Sequence, residues 1–198
     1  MRIAHELTPT NPNAPNFKPR QFYAHSNMRT WYSRTVDINF LAIDFDQTIV
    51  DIHTGGRWSG LATELSSHVR PIFRHFIECA HAASLNIAVV TFSPQVQLVS
   101  EVLRANFPAF ADSVVIRGMD GSWSYEGRGS RSGKQSHMAS AAEELIARHS
   151  NLDIAKRTTL LIDDDAKNCR LALLDGVRAI WLNPSRPNRL LEDIKKLK

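Results

Sequence analysis

Cysteine is almost missing from this chain: Cys79 and Cys169 are the only two in 198 residues. Two thiols make neither a disulfide framework nor a cysteine-built metal site. Cys79 falls in an apolar helical pattern and Cys169 in another helix, which reads both as reduced, buried small hydrophobes. That composition favours an intracellular setting, most simply the cytoplasm. Long hydrophobic runs are missing too. None approaches the ~20 residues of a membrane helix, so no membrane partner is expected. No secretory signal and no internal repeat is legible.

Acidic residues are scarce at the start. Residues 1–35 hold Glu6 alone against Arg2, Lys18, Arg20, Arg29 and Arg34, and so carry the whole formal charge of +4. The remainder balances, with 19 of the 24 basic and 19 of the 20 acidic residues. The pI of about 9.3 therefore reports a basic arm. Pro9, Pro12, Pro15 and Pro19 interrupt this arm, and no apolar period runs through it, so an extended or disordered lead-in is expected over residues 1–35. Its aromatics Phe17, Phe22, Tyr23, Trp31 and Tyr32 are too many for a bare spacer. Packing of Trp31 and Tyr32 on the flank of the adjoining domain is the preferred reading. Charge combined with stacking makes a nucleic-acid or partner contact the alternative.

Residues 36–198 alternate strand and helix. Apolar runs at Ile38–Ile43, Asn86–Val90, Val114–Ile116, Thr159–Ile162 and Val177–Trp181 read as buried strands. A long helical pattern reaches Ser84, with Pro71 inside it marking a kink or a start. Further helices are expected over Gln95–Ala105, Gln135–His149, Lys167–Leu174 and near Arg189–Leu197. Alternating β and α elements imply an α/β fold: a Rossmann-like three-layer sandwich with a mostly parallel five-stranded sheet and right-handed crossovers. At 198 residues the chain has length enough for one real core.

Polar groups gather at one kind of place. Asp44-Phe45-Asp46-Gln47-Thr48 comes directly after the first strand, and two carboxylates that close repel unless a cation lies between them or one keeps its proton. Thr91 ends the second strand. Lys134 stands at a helix start after the loop Gly127–Gly133. Asp163-Asp164-Asp165-Ala166-Lys167-Asn168 ends the fourth strand. In open α/β sheets the carboxyl edge of the strands is where ligands bind.

These four segments together resemble the motifs of the haloacid dehalogenase-like superfamily of phosphohydrolases: D-x-D-x-[TV], a strand ending in Thr or Ser, a Lys near a helix start, and D-D-x-x-x-[DN]. The resemblance covers Val36 to Leu182. It implies that Asp44 is the nucleophile of an aspartyl-phosphate mechanism and that Asp46 is the general acid and base. It implies that Thr91 and Lys134 bind phosphate. It also implies that Mg²⁺ is held by Asp44, the main-chain carbonyl of Asp46, and Asp164. Thr48, Asp163 and Asn168 would support these. A carboxylate at Asp46 points to a phosphatase rather than a dehalogenase. Val50–Arg70 and Met119–Gly133 are too short to build a lid of even ~50 residues. A capless enzyme with an open cleft is thus expected, suited to a large phosphorylated substrate such as a phosphoprotein. The alternatives are a polynucleotide or sugar-phosphate phosphatase, or a non-catalytic phosphate-binding scaffold. His53, Arg57, Trp58, Trp123, Tyr125, Arg128 and Arg131 are expected to flank the cleft, and His137 to be a surface helix residue.

Overall fold

The computed structural model describes residues 37–127 and 132–197. The basic arm, Trp31, Tyr32, Arg128 and Arg131 lie outside the described residues. Five strands form one sheet: β1 Phe40–Ile43, β2 Asn86–Val90, β3 Val115–Arg117, β4 Thr159–Asp163 and β5 Arg178–Trp181. The order is β3-β2-β1-β4-β5, and every pairing is parallel. This is the expected α/β Rossmann-like architecture, with no antiparallel strand in the sheet. Covered on both faces, the central strands carry near-continuous apolar runs; Phe-Leu-Ala-Ile of β1 is buried throughout.

Alternation divides that run between two cores. Leu41 and Ile43 face one cluster with Val89, Leu160 and Ile162. Helices α1 Ala62–Ser67, α2 Pro71–Ala82 and α3 Val96–Asn106 cover that side, with the short α6 Leu190–Ile194. Phe40 and Ala42 face the other cluster, under α4 Gln135–Arg148 and α5 Ala166–Leu174. The single long helix expected through Ser84 is therefore two. Pro71 begins the second, where its missing N–H costs nothing, and an antiparallel bridge between Val50 and Val69 separates them. The closing helix is shorter than expected, because Pro187–Arg189 forms a 3₁₀ turn before it. Cys169 is buried, as expected, but Cys79 is only half-buried, with its Sγ 3.6 Å from His75 Nε2. No helix of the described residues is long and apolar enough to cross a membrane.

Strand order reverses at β1. The chain builds β2 and β3 on one side, then crosses to lay β4 and β5 on the other. Connections diverge at such a point and leave a crevice at the carboxyl edge. Register decides what fills it. Ile43 pairs with Ile162, and Asp44 N–H donates to Ile162 O at 2.9 Å, so the next residues, Asp44 and Asp163, emerge as neighbours.

Candidate active site

Immediately beyond β1 the chain makes one tight turn, Phe45–Ile49, anchored by the buried Phe45 and Ile49. Gln47 takes a left-handed conformation, φ 55°, which is uncommon outside glycine and carries a strain cost. The turn is braced from outside. Arg70, buried at the start of α2, donates through Nη2 to Gln47 O at 3.1 Å and through Nη1 to Pro184 O at 3.3 Å. The buried Thr48 hydroxyl accepts from Asp164 N at 3.1 Å, joining the turn to the end of β4.

The carboxylates of Asp44, Asp163 and Asp164 offer oxygens that all lie within 4.8 Å of one another. Burial pushes the Asp44 carboxyl up to about 6, against the pull of the neighbouring Lys134 ammonium. Burial, with the Asp44 charge beside it, pushes Asp163 up to about 7. Burial also raises Asp164. Lys134, 1% exposed at the N-cap of α4, donates through Nζ to Asp44 Oδ1 at 2.7 Å and to Val90 O at 2.8 Å. Its ammonium lies 4.0 Å from the centroid of the Phe92 ring. Asn168 Nδ2 donates to both Asp163 oxygens, at 3.2 and 3.0 Å, and Asp165 N adds a third bond at 2.8 Å. Asp165 itself caps α5, accepting from Lys167 N, so its charge meets the positive end of that helix.

Asp46 stands apart from this cluster. Its carboxylate faces the loop after the turn, where Thr54 Oγ1 lies 2.9 Å from both carboxylate oxygens and Thr54 N–H donates at 3.2 Å. His53 Nδ1 is 3.2 Å from Oδ2. That loop is itself tied down. The Gln95 side chain accepts from Trp58 N at 2.7 Å and donates to Trp58 O at 2.8 Å. Gly56, at φ 69°, lies so close to Pro94 that a Cβ there would come within 2.8 Å of the proline ring. Thr91, buried at the end of β2, accepts from Ser93 N at 3.1 Å and so shapes the start of the next loop.

Together these groups line a cleft of about 540 Å³ that holds Asp44, Asp46, Thr91, Lys134, Asp163, Asp164 and Asn168, with Gln47, His53 and Phe92 on its walls. Thr48 sits beneath it. Of the loop residues expected at the rim, His53 lines the cleft. Trp58 packs edge-on against His68, and Trp123 donates its indole N–H to Gly118 O. His137 is a correction: it is 3% exposed, packed against the Trp123 and Phe92 rings at 4.7 and 5.3 Å. Burial, then the Lys134 charge, pulls its pKa down to about 4, so it is a neutral wedge behind the lysine. A signal was present, since His137, Ala141 and Leu145 recur every four residues along the inward face of α4. Thr54, Gln95 and Arg70 carried no such signal, being loop or helix-end side chains whose partners are distant in sequence.

No family model matches the sequence, and no curated protein matches it. Among solved structures, the chain is similar to the HAD domain of the effector protein Lem4 from Legionella pneumophila, determined as an inactive mutant. The two share 14% identity over 79% of this chain and 92% of that one, with a TM-score of 0.41.

Proposed function

We propose that this chain is a Mg²⁺-dependent phosphomonoester hydrolase acting through an aspartyl-phosphate, with a capless, open cleft. The observation that carries the reading is the buried Asp44–Lys134 pair beside two further carboxylates on the floor of the cleft. Three carboxylates so close, two of them buried and, among the described residues, with one ammonium bonded to them, are a donor set for a hard divalent cation. Asp44, Asp164 and the main-chain carbonyl of Asp46 would hold Mg²⁺, which supplies positive charge to the phosphoryl oxygens. Asp163, already accepting three hydrogen bonds from Asn168 and the Asp165 amide, is better placed to orient than to ligate.

The remaining chemistry belongs to the chain. Asp44 attacks phosphorus, and the bond to the leaving oxygen breaks as Asp46 gives that oxygen a proton. Asp46 then takes a proton from water, which cleaves the acyl phosphate, releases inorganic phosphate and restores Asp44. Lys134 neutralises the nucleophile and a phosphate oxygen, and Thr91 with the loop amides after it binds another. With chelator, hydrolysis of a generic aryl phosphate should fall to background and return on adding Mg²⁺. An undiminished rate in chelator would overturn the metal assignment.

Asp46 must stay in place to exchange a proton twice, and Thr54 is what holds it. Thr54→Ala should lower kcat by about tenfold with little change in KM, within the ~10²–10⁴-fold worth of a positioned acid and base. Thr54→Ser should recover most of the loss. Equal kcat in wild type and Thr54→Ala would detach the loop from the chemistry.

A further inference from the structure

We propose that the pocket beside Trp181 is a second binding site that takes one nucleotide unit of a single-stranded polynucleotide whose terminal phosphate lies in the catalytic cleft. The proposal rests on the phosphatase reading above and names its substrate class. The pocket holds about 200 Å³ and is lined by Trp181, Leu182, Arg186, Arg189, Leu190 and Asp193, among others. Leu182 and Leu190 are buried and give it an apolar floor. Trp181, at the end of β5, is 50% exposed, so part of its indole is open to a ligand in this pocket.

Cleft and pocket meet at one hydrogen bond. Trp181 Nε1–H donates to Asp164 O at 2.7 Å, so the indole is fixed to a residue that lines the cleft. Arg70 joins Pro184 O to Gln47 O, which ties the segment after Trp181 to the turn that carries Asp46. A chain leaving the cleft past Asp164 therefore has the indole as a neighbour, and both arginines line the same pocket as that indole.

The charges there are little engaged. Arg186 has no ion pair among the described residues, and Arg189 has only Glu192 at 3.8 Å with both side chains more than half exposed, a contact of little strength. The acid in the pocket, Asp193, is matched by Lys196 at 2.8 Å. A slot with an apolar floor, an exposed indole and two accessible guanidinium groups suit a ligand that repeats a flat ring and an anion at fixed spacing. Each nucleotide presents both. A phosphopeptide supplies an acid for the arginines but a flat ring only when its sequence happens to provide one. The basic arm, residues 1–35, adds long-range attraction for the same class of ligand.

The test compares terminally phosphorylated single-stranded oligonucleotides, the matching mononucleotides, phosphopeptides and an aryl phosphate, all with Mg²⁺. Oligonucleotides should show a KM at least about fivefold below mononucleotides, since stacking one base alone contributes about 1–3 kcal/mol. The double variant Arg186→Ala/Arg189→Ala should erase that advantage while aryl phosphate turnover stays at the wild-type rate. Its slope of log affinity against log salt should be shallower by about 1.4, the loss of two phosphate contacts on a single strand. Trp181→Leu should raise KM for oligonucleotides more than Trp181→Phe does. Equal KM for oligonucleotide and mononucleotide would overturn the proposal, as would a phosphopeptide preference abolished by the double variant. Absence of aryl phosphate turnover would sink the phosphatase reading instead. Anisotropy of a labelled phosphorylated oligonucleotide, with and without the double variant, then decides the pocket alone.

Discussion

Asp44→Asn should lower turnover of any phosphomonoester by several orders of magnitude, on the order of 10⁴ or more, as when the nucleophile of a covalent mechanism is removed. The amide keeps the shape of the side chain and the hydrogen bond to Lys134, but it cannot attack phosphorus. The fold should survive. The Asp44 carboxyl is already pushed up to about 6 by burial, so removing its charge relieves a desolvated anion. Lys134 keeps Val90 O, and the Asp163 carboxylate remains nearby. A melting temperature near wild type, with activity gone, separates chemistry from folding. Beryllium fluoride, which mimics a phosphorylated aspartate, should inhibit the wild type and not the variant. Turnover by Asp44→Asn within a hundredfold of wild type would require another nucleophile.

Most of this site could be read from the sequence because each group stands at a boundary between elements. Asp44, Thr91 and Asp163 end apolar runs that are short enough to be strands, and Lys134 precedes a long helix. A parallel sheet collects such ends at one edge, so order along the chain becomes proximity in space. Asp46 shows the limit of that logic. Its position two residues after Asp44 suggested a pair of repelling carboxylates with a cation between them or a proton on one. The left-handed Gln47 and the loop that carries Thr54 instead hold the Asp46 side chain away from the Asp163–Asp164 pair. No local pattern encodes that choice. It depends on Gln95 reaching 37 residues back to Trp58, and on Arg70 bracing a turn 23 residues before it. Side chains of that kind have no period and no motif. The same holds for the Trp181 pocket, where a strand end, a 3₁₀ turn and a five-residue helix meet.

Lys134→Met should be the most damaging change to stability, and its effect should depend on pH in a direction the site dictates. In wild type stripped of divalent cations, Asp44 and Asp163 bind protons more tightly folded than unfolded, with pKa values near 6 and 7 against 3.8. Their contribution is therefore fully present below about 3.8 and is lost progressively as pH rises from there through about 6 to 7. His137, pulled down to about 4 from 6.5, opposes this loss between those two values. Lys134 moderates every one of these shifts but the last: its charge lowers both carboxyls and also lowers His137. Without it the carboxyls rise further and the opposing histidine effect shrinks, so stability falls more steeply with pH. At pH 8 the variant leaves buried carboxylates with no bonded cation, a loss of about 3–5 kcal/mol. For a chain of this size that is on the order of 10 °C in Tm. At pH 5, where Asp44 and Asp163 hold protons, the loss should be much smaller. In the proposed site Mg²⁺ would be held by the ionised carboxylates, so it should raise Tm more at pH 8 than at pH 5, and more in the variant than in wild type if it replaces the missing charge. Turnover should still fall by about 10²–10³, because the donor that the proposed mechanism directs at the phosphate is gone. Thermal melts of both proteins at pH 5 and pH 8, with chelator and with Mg²⁺, check this directly. An equal drop in Tm at both pH values would mean that Lys134 contributes packing alone, and that the carboxylate cluster does not depend on its charge.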